Sequence, residues 1–111
     1  MKTVFHVSTP EEVPVVVAKV ENLLDDETVE LDRVAVVLDD GETIAHLHAD
    51  SEEADDLRDL LAEDVALKAC SNAASHPSVS KSDLLDGVEV VSSGVGELTR
   101  LQDAGYAYVR L

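Results

Sequence analysis

The chain has 111 residues, which is room for one domain built around one core. Its 24 Asp and Glu against 8 Lys and Arg leave a formal net charge of −16, which excludes a basic patch for nucleic acid and disfavours an anionic membrane surface. Hydrophobic content is 45% and the apolar residues are periodic, which excludes a disordered acidic chain and leaves an acidic coat over a folded core, the arrangement of a protein in a salt-rich cytoplasm.

The opening run Thr3-Val4-Phe5-His6-Val7 reads as a strand and is too short for a signal peptide; nothing later can span a bilayer. Thr9-Pro10-Glu11-Glu12 has the layout of a capping box with Pro at the first helical position. Val13, Val16, Val17, Val20, Leu23 and Leu24 follow as one helical stripe, and Pro14 predicts a distorted first turn or a later true start. Arg33 to Leu38 is a nearly continuous apolar run that suits a central strand covered on both faces. Asp39-Asp40-Gly41 is a turn signal, and Thr43 to His48 reads either as a short extended piece or as a loop turn. Asp50 with Glu53 predicts a cap for a helix whose Ala54, Leu57, Leu60 and Leu61 face inward.

Val65 to Cys70 is the third main strand. A turn-rich segment follows, then a short helix capped by Ser80 and ended by Asp86-Gly87. Val88 to Val91 is a fourth strand. Gly94-Val95-Gly96 opens a helix with Val95, Leu98 and Leu101 on one side, Gly105 closes it, and Tyr106 to Val109 forms a last strand. The alternation predicts an α/β fold: a mostly parallel sheet, helices on both faces and right-handed crossovers. Residues 1–111 are expected to be a single domain without repeats or linkers.

The one cysteine, Cys70, stands at the carboxyl end of a strand, the sheet edge where ligands and chemistry collect. It cannot form an internal disulfide, so a reducing, cytoplasmic compartment fits. Two readings stand: a small buried hydrophobe, or an exposed thiol whose anion is favoured by the amides opening the next helix. His6, at the end of the first strand, and His76, six residues after the cysteine, are candidates to hold a proton for it. Ser71 and Asn72 follow it directly, and Asn72 either donates to a bound oxyanion or caps the turn. Gly94 and Gly96 turn the backbone tightly and either serve that turn alone or line a shared pocket; the dinucleotide fingerprint is incomplete, because position 99 is Thr. His46 and His48 share a face if their segment is extended, but no third ligand lies nearby, so neither a metal nor a cofactor is expected.

Lys68-Ala69-Cys70-Ser71-Asn72-Ala73, together with Asp83 to Leu98 running into Leu101-Gln102-Asp103-Ala104-Gly105-Tyr106-Ala107-Tyr108, resembles the DsrE/DsrF-like family of small sulfur-relay proteins. The resemblance implies a three-layer α/β/α fold with a five-stranded sheet, and homo-oligomers, often trimers or hexamers. It also implies that Cys70 carries sulfane sulfur as a persulfide between donor and acceptor proteins, as a carrier more than a turnover enzyme. Sulfur-transfer members often place basic residues after the cysteine; here Ser75-His76-Pro77 leaves only His76. Two other functions remain open: a non-catalytic oligomeric binding or assembly module using the same pocket, and a redox sensor pairing Cys70 across subunits. Val95, Leu98 and Leu101, beside Tyr106 and Tyr108, either form a subunit contact or pack on their own sheet.

Overall fold

The computed structural model describes residues 1–111. Strands β1 (Lys2–Val7), β2 (Arg33–Leu38), β3 (Ala66–Cys70), β4 (Glu89–Val91) and β5 (Tyr106–Arg110) form one sheet in the order β4-β3-β2-β1-β5. Every pairing is parallel. The helices are α1 (Glu12–Leu24), α2 (Gly41–Ile44), α3 (Ala54–Ala62) and α4 (Gly94–Asp103).

From β1 to β4 each strand is laid beside the last in one direction, so right-handed crossovers put their connections on one face. The step from β4 back to β5 reverses direction, and the same handedness puts α4 on the other face. The period-2 alternation of the strands divides the core accordingly. Phe5, Val7, Val34, Val36, Leu38, Leu67 and Ala69 pack with Val13, Val16, Val17 and Val20 of α1 and with Leu57 and Leu60 of α3. Val4, Ala35 and Val37 pack with Leu98 and Leu101 of α4. Each fully buried Val or Leu contributes about 1.5–3 kcal/mol. Leu98 and Leu101 are therefore used by their own sheet, and of the apolar set considered for a subunit contact Val95 faces outward, 71% exposed.

Local departures from the predicted elements have local causes. Helix α1 starts at Glu12 rather than after Thr9. Pro14 then falls in the first turn, where an amide has no intrahelical acceptor and its loss costs little. The Glu12 carboxylate accepts from the amides of Ser8 at 2.8 Å and Thr9 at 3.1 Å, and these bonds, the Ser8 one foremost, hold it below the usual carboxylate range. Residues 41–47 are helical, not extended, because Asp40 caps α2 through the amide and hydroxyl of Thr43. Asp50 caps no helix: α3 begins at Ala54, and Glu53 turns its carboxylate to His46 at 3.0 Å. The short helix expected after Ser80 is one 3₁₀ turn, Lys81–Asp83.

Candidate functional site

The connection after β3 leaves on the face of α1 and α3, whereas that after the adjacent β4 leaves on the face of α4. The carboxyl ends of β3 and β4 are thus the switch point of this sheet, the place where doubly wound folds open a crevice. Cys70 ends β3 there and Gly94 opens α4 there.

Cys70 is free and 6% exposed. It lies opposite Val91, and Ser71 carries the pairing one step further by donating its amide to the Val91 carbonyl at 2.7 Å. Being two residues after Lys68, it faces α4. The first turn of α4 closes over it: a methyl group at Gly94 would stand 3.6 Å from Cys70 Cβ. Ser93 caps this helix by accepting the Gly96 amide at 3.0 Å. The amides of Gly94 and Val95, ahead of the first intrahelical bond, find no acceptor in the protein. The first turn of α4 thus lies against the end of β3, and the Cys70 sulfur makes no hydrogen bond.

Neither histidine proposed beside Cys70 reaches it. His6 lies on the same face but on β1, with β2 between. Its ring nitrogens are engaged by Asp39 Oδ2 at 2.6 Å and the Tyr108 hydroxyl at 2.6 Å. His76 is exposed, accepts the Ser78 amide at Nδ1 and packs against Gly41. Asn72 is exposed and begins the 3₁₀ turn Ala73–Ser75, with no side-chain bond to it. His46 and His48 part company on their helical turn: one meets Glu53, the other accepts the Ser80 amide at Nε2. No group of three or more His, Cys, Asp and Glu side chains is gathered to hold a metal ion. The surface depressions of the molecule lie elsewhere, the one between α1 and α3 enclosing about 280 Å³ among Glu21, Leu24, Asp25, Asp59, Leu60 and Glu63.

Two clusters absent from the sequence reading flank the cysteine. Lys68 Nζ donates to Glu97 Oε2 at 2.5 Å and lies 3.5 Å from Glu89, while Arg100 holds Glu97 Oε1 at 3.0 and 2.9 Å. The Lys68 bond, helped by Arg100, keeps the Glu97 carboxyl below its usual range. Burial pulls the Lys68 ammonium down, but the bonds and charges of Glu97 and Glu89 outweigh it and the net shift is upward. The second cluster joins Asp39, His6, Tyr108, Ser8 and Arg110 along the carboxyl edge. Asp39 borders both regions: it follows Leu38, which pairs with Ala69 at the end of the β2–β3 register, and its Cβ would meet the same methyl at Gly94, at 3.0 Å. A charge inside the apolar β3 pattern, and a Glu on the buried stripe of α4, were the signals for the first cluster. The second joins residues far apart in sequence and had none.

The fold and this site define a small three-layer α/β/α protein with a parallel sheet and a thiol at its switch point. The model of the DsrE/DsrF-like family matches residues 3–111, and the chain belongs to that family. Among solved structures it is similar to MTH1491 of Methanobacterium thermoautotrophicum, described as a protein of unknown function. That likeness has a TM-score of 0.88 at 37% sequence identity and covers 99% of this chain and 98% of the other. No curated protein matches the chain.

Proposed function

We propose that the protein is a sulfur carrier of the DsrE/DsrF-like type, acting in the cytoplasm, with Cys70 as the persulfide site and residues 1–111 as one functional domain. The observation that carries this reading is the unpartnered Cys70 thiol against the first turn of α4 at the switch point. The Cys70 thiolate attacks the outer sulfur of a donor persulfide. A new sulfur–sulfur bond forms, the donor's own bond breaks, and the donor thiolate leaves with the electron pair and takes up the proton that Cys70 gave up. An acceptor thiolate reverses the sequence. On this reading Gly94 lets the first turn of α4 approach the cysteine, and Gly96, Ser71 and Asn72 are the neighbouring residues that an incoming donor would meet. His76, exposed on the loop that follows, is the nearest candidate to meet an incoming donor, and His6 acts through Asp39. Assembly into trimers or hexamers, with a sulfur donor and an acceptor protein as transient partners, belongs to the same reading; light scattering at high salt tests the assembly.

The test is mass spectrometry of the intact protein after incubation with a sulfane donor. One added sulfur, about 32 Da, is expected on the wild type and not on Cys70→Ser. No adduct, or an equal adduct on both, refutes the assignment. The burial of Cys70 favours a second reading, an assembly module without chemistry. A thiol that native-state alkylation leaves untouched, with no adduct from the donor, selects it.

A further inference from the structure

The cluster at the other end of the carboxyl edge has a defined protonation pattern. The Asp39 carboxylate can only accept, so His6 Nε2, 2.6 Å away, carries the imidazole hydrogen. Arg110 can only donate, and its guanidinium lies 3.1 Å from Nδ1, so Nδ1 presents a lone pair. Two independent partners fix the same neutral tautomer. The Tyr108 hydroxyl, 2.6 Å from Nδ1, is thereby the donor of that bond. The result is a carboxylate, an oriented imidazole and a hydroxyl in series. The histidine is 8% exposed and the tyrosine 40% exposed, so the base is sheltered and the hydroxyl end is open to solvent.

We propose that Tyr108 is a second reactive centre of this protein, independent of Cys70: a nucleophilic hydroxyl activated by His6 and directed toward activated acyl groups that carry an anionic substituent. As the Tyr108 oxygen bonds to the acyl carbon, Arg110 NH1 leaves Nδ1 for the anionic substituent and the Tyr108 proton passes to the freed Nδ1 lone pair. The leaving group departs with the electron pair of the broken bond and takes that proton from His6. Asp39 accepts the Nε2 hydrogen bond throughout and stays a carboxylate, holding the tautomer and steadying the transient imidazolium; it is a positioning residue, whereas Tyr108 and His6 are the reacting groups. The anionic substituent has a partner in Arg110. Its NH1 is steadied on His6 and on Ser8 Oγ at 3.3 Å, and it forms no ion pair in a chain with 24 carboxylates, although Glu12 feels its charge at longer range.

The chain supplies its own control, because its other tyrosine, Tyr106, is on the same face of β5 two residues earlier, beside Lys2 and away from any imidazole. The experiment is acylation of the folded Cys70→Ser protein with N-acetylimidazole, with mono-4-nitrophenyl terephthalate, whose acyl group carries a carboxylate, as the charged comparison, read by peptide mass mapping at both tyrosines and repeated in urea. Base assistance predicts Tyr108 faster than Tyr106 by roughly tenfold or more in the native state and equal rates in urea. Asp39→Asn removes the carboxylate that steadies the imidazolium and lowers the native ratio toward the urea value, and His6→Gln, which removes the base, brings it down to that value. Arg110→Ala lowers the preference for the carboxylate-bearing ester over N-acetylimidazole. Equal native rates overturn the proposal. So does a Tyr108 preference that survives both Asp39→Asn and His6→Gln, because exposure alone then explains it. Since Cys70 is absent throughout, failure here is separate from failure of the sulfur-carrier reading.

Discussion

Replacing Glu97 by Gln tests the cluster that fastens β3 to α4 beneath the cysteine. The Lys68 and Glu97 side chains are 14% and 10% exposed. In Glu97→Gln the buried ammonium keeps one neutral acceptor and Glu89, which is 3.5 Å away and 60% exposed, while the new amide turns a donor toward Arg100. Stripping a buried pair of one partner costs about 3–5 kcal/mol, and the remaining Glu89 contact brings this to about 2–3 kcal/mol. At about 4 °C per kcal/mol for a domain of this size, the thermal midpoint falls by roughly 10 °C. The reverse change, Lys68→Met, leaves Glu97 gripped twice by Arg100 and costs less, about 1 kcal/mol. Urea unfolding at fixed high ionic strength measures both, because screening removes the unit change in net charge from the comparison. Glu89→Gln is the exposed control, expected below about 0.5 kcal/mol. If Glu97→Gln matches that control, or if Lys68→Met is the costlier change, the cluster does not hold the helix in the way its geometry indicates.

Three further outcomes are expected. Because Lys68 holds the Glu97 carboxyl below its ordinary value of 4.5, the stability that Glu97 contributes is present above that value and lost as pH falls through the lower folded one; the gap between wild type and Glu97→Gln narrows in urea titrations as pH falls below 4.5. Gly41→Ala places a methyl 2.3 Å from His76 Cβ and 3.0 Å from the Ala73 carbonyl, so it destabilises by about 2 kcal/mol despite the helix propensity gained, and an unchanged urea midpoint contradicts that packing. The net charge of −16 predicts a higher thermal midpoint in molar KCl than in dilute buffer, and a flat salt series removes the case for a halophilic coat.

Much of this fold was legible because its signals are local and repeated. The apolar run Val34–Leu38 marks a strand covered on both faces, and the stripe through Val13, Val16, Val17 and Val20 marks the helix that covers it. Gly105, at φ 96°, ends α4 as its place after the last helical residue suggests. What resisted reading was decided by competition between neighbours. Asp40 spends its carboxylate on Thr43 and so turns an ambiguous segment helical, while Glu53 prefers His46 to a cap. At the site, Cys70 was legible from its place at a strand end, and Gly94 from its place between strand and helix. The partners of His6 were not. The sheet order sets β5 beside β1, which brings Tyr108 and Arg110 to a histidine more than a hundred residues away in sequence, and that order follows from the reversal at α4 rather than from any motif.

Asp39 links the two ends of the carboxyl edge. It stands one strand from Cys70 and reaches the other way, across β2 to His6 on β1. A carboxylate near a thiol opposes the thiolate, and one that accepts a short hydrogen bond from an oriented imidazole does so less, because its charge is partly met and drawn toward β1. The Arg110 cation beyond His6 extends the same polarisation. On this account the Asp39–His6 bond draws a negative charge away from the thiol as well as orienting the imidazole, from a carboxylate that is itself only partly buried, 26% exposed against 10% for the His6 side chain.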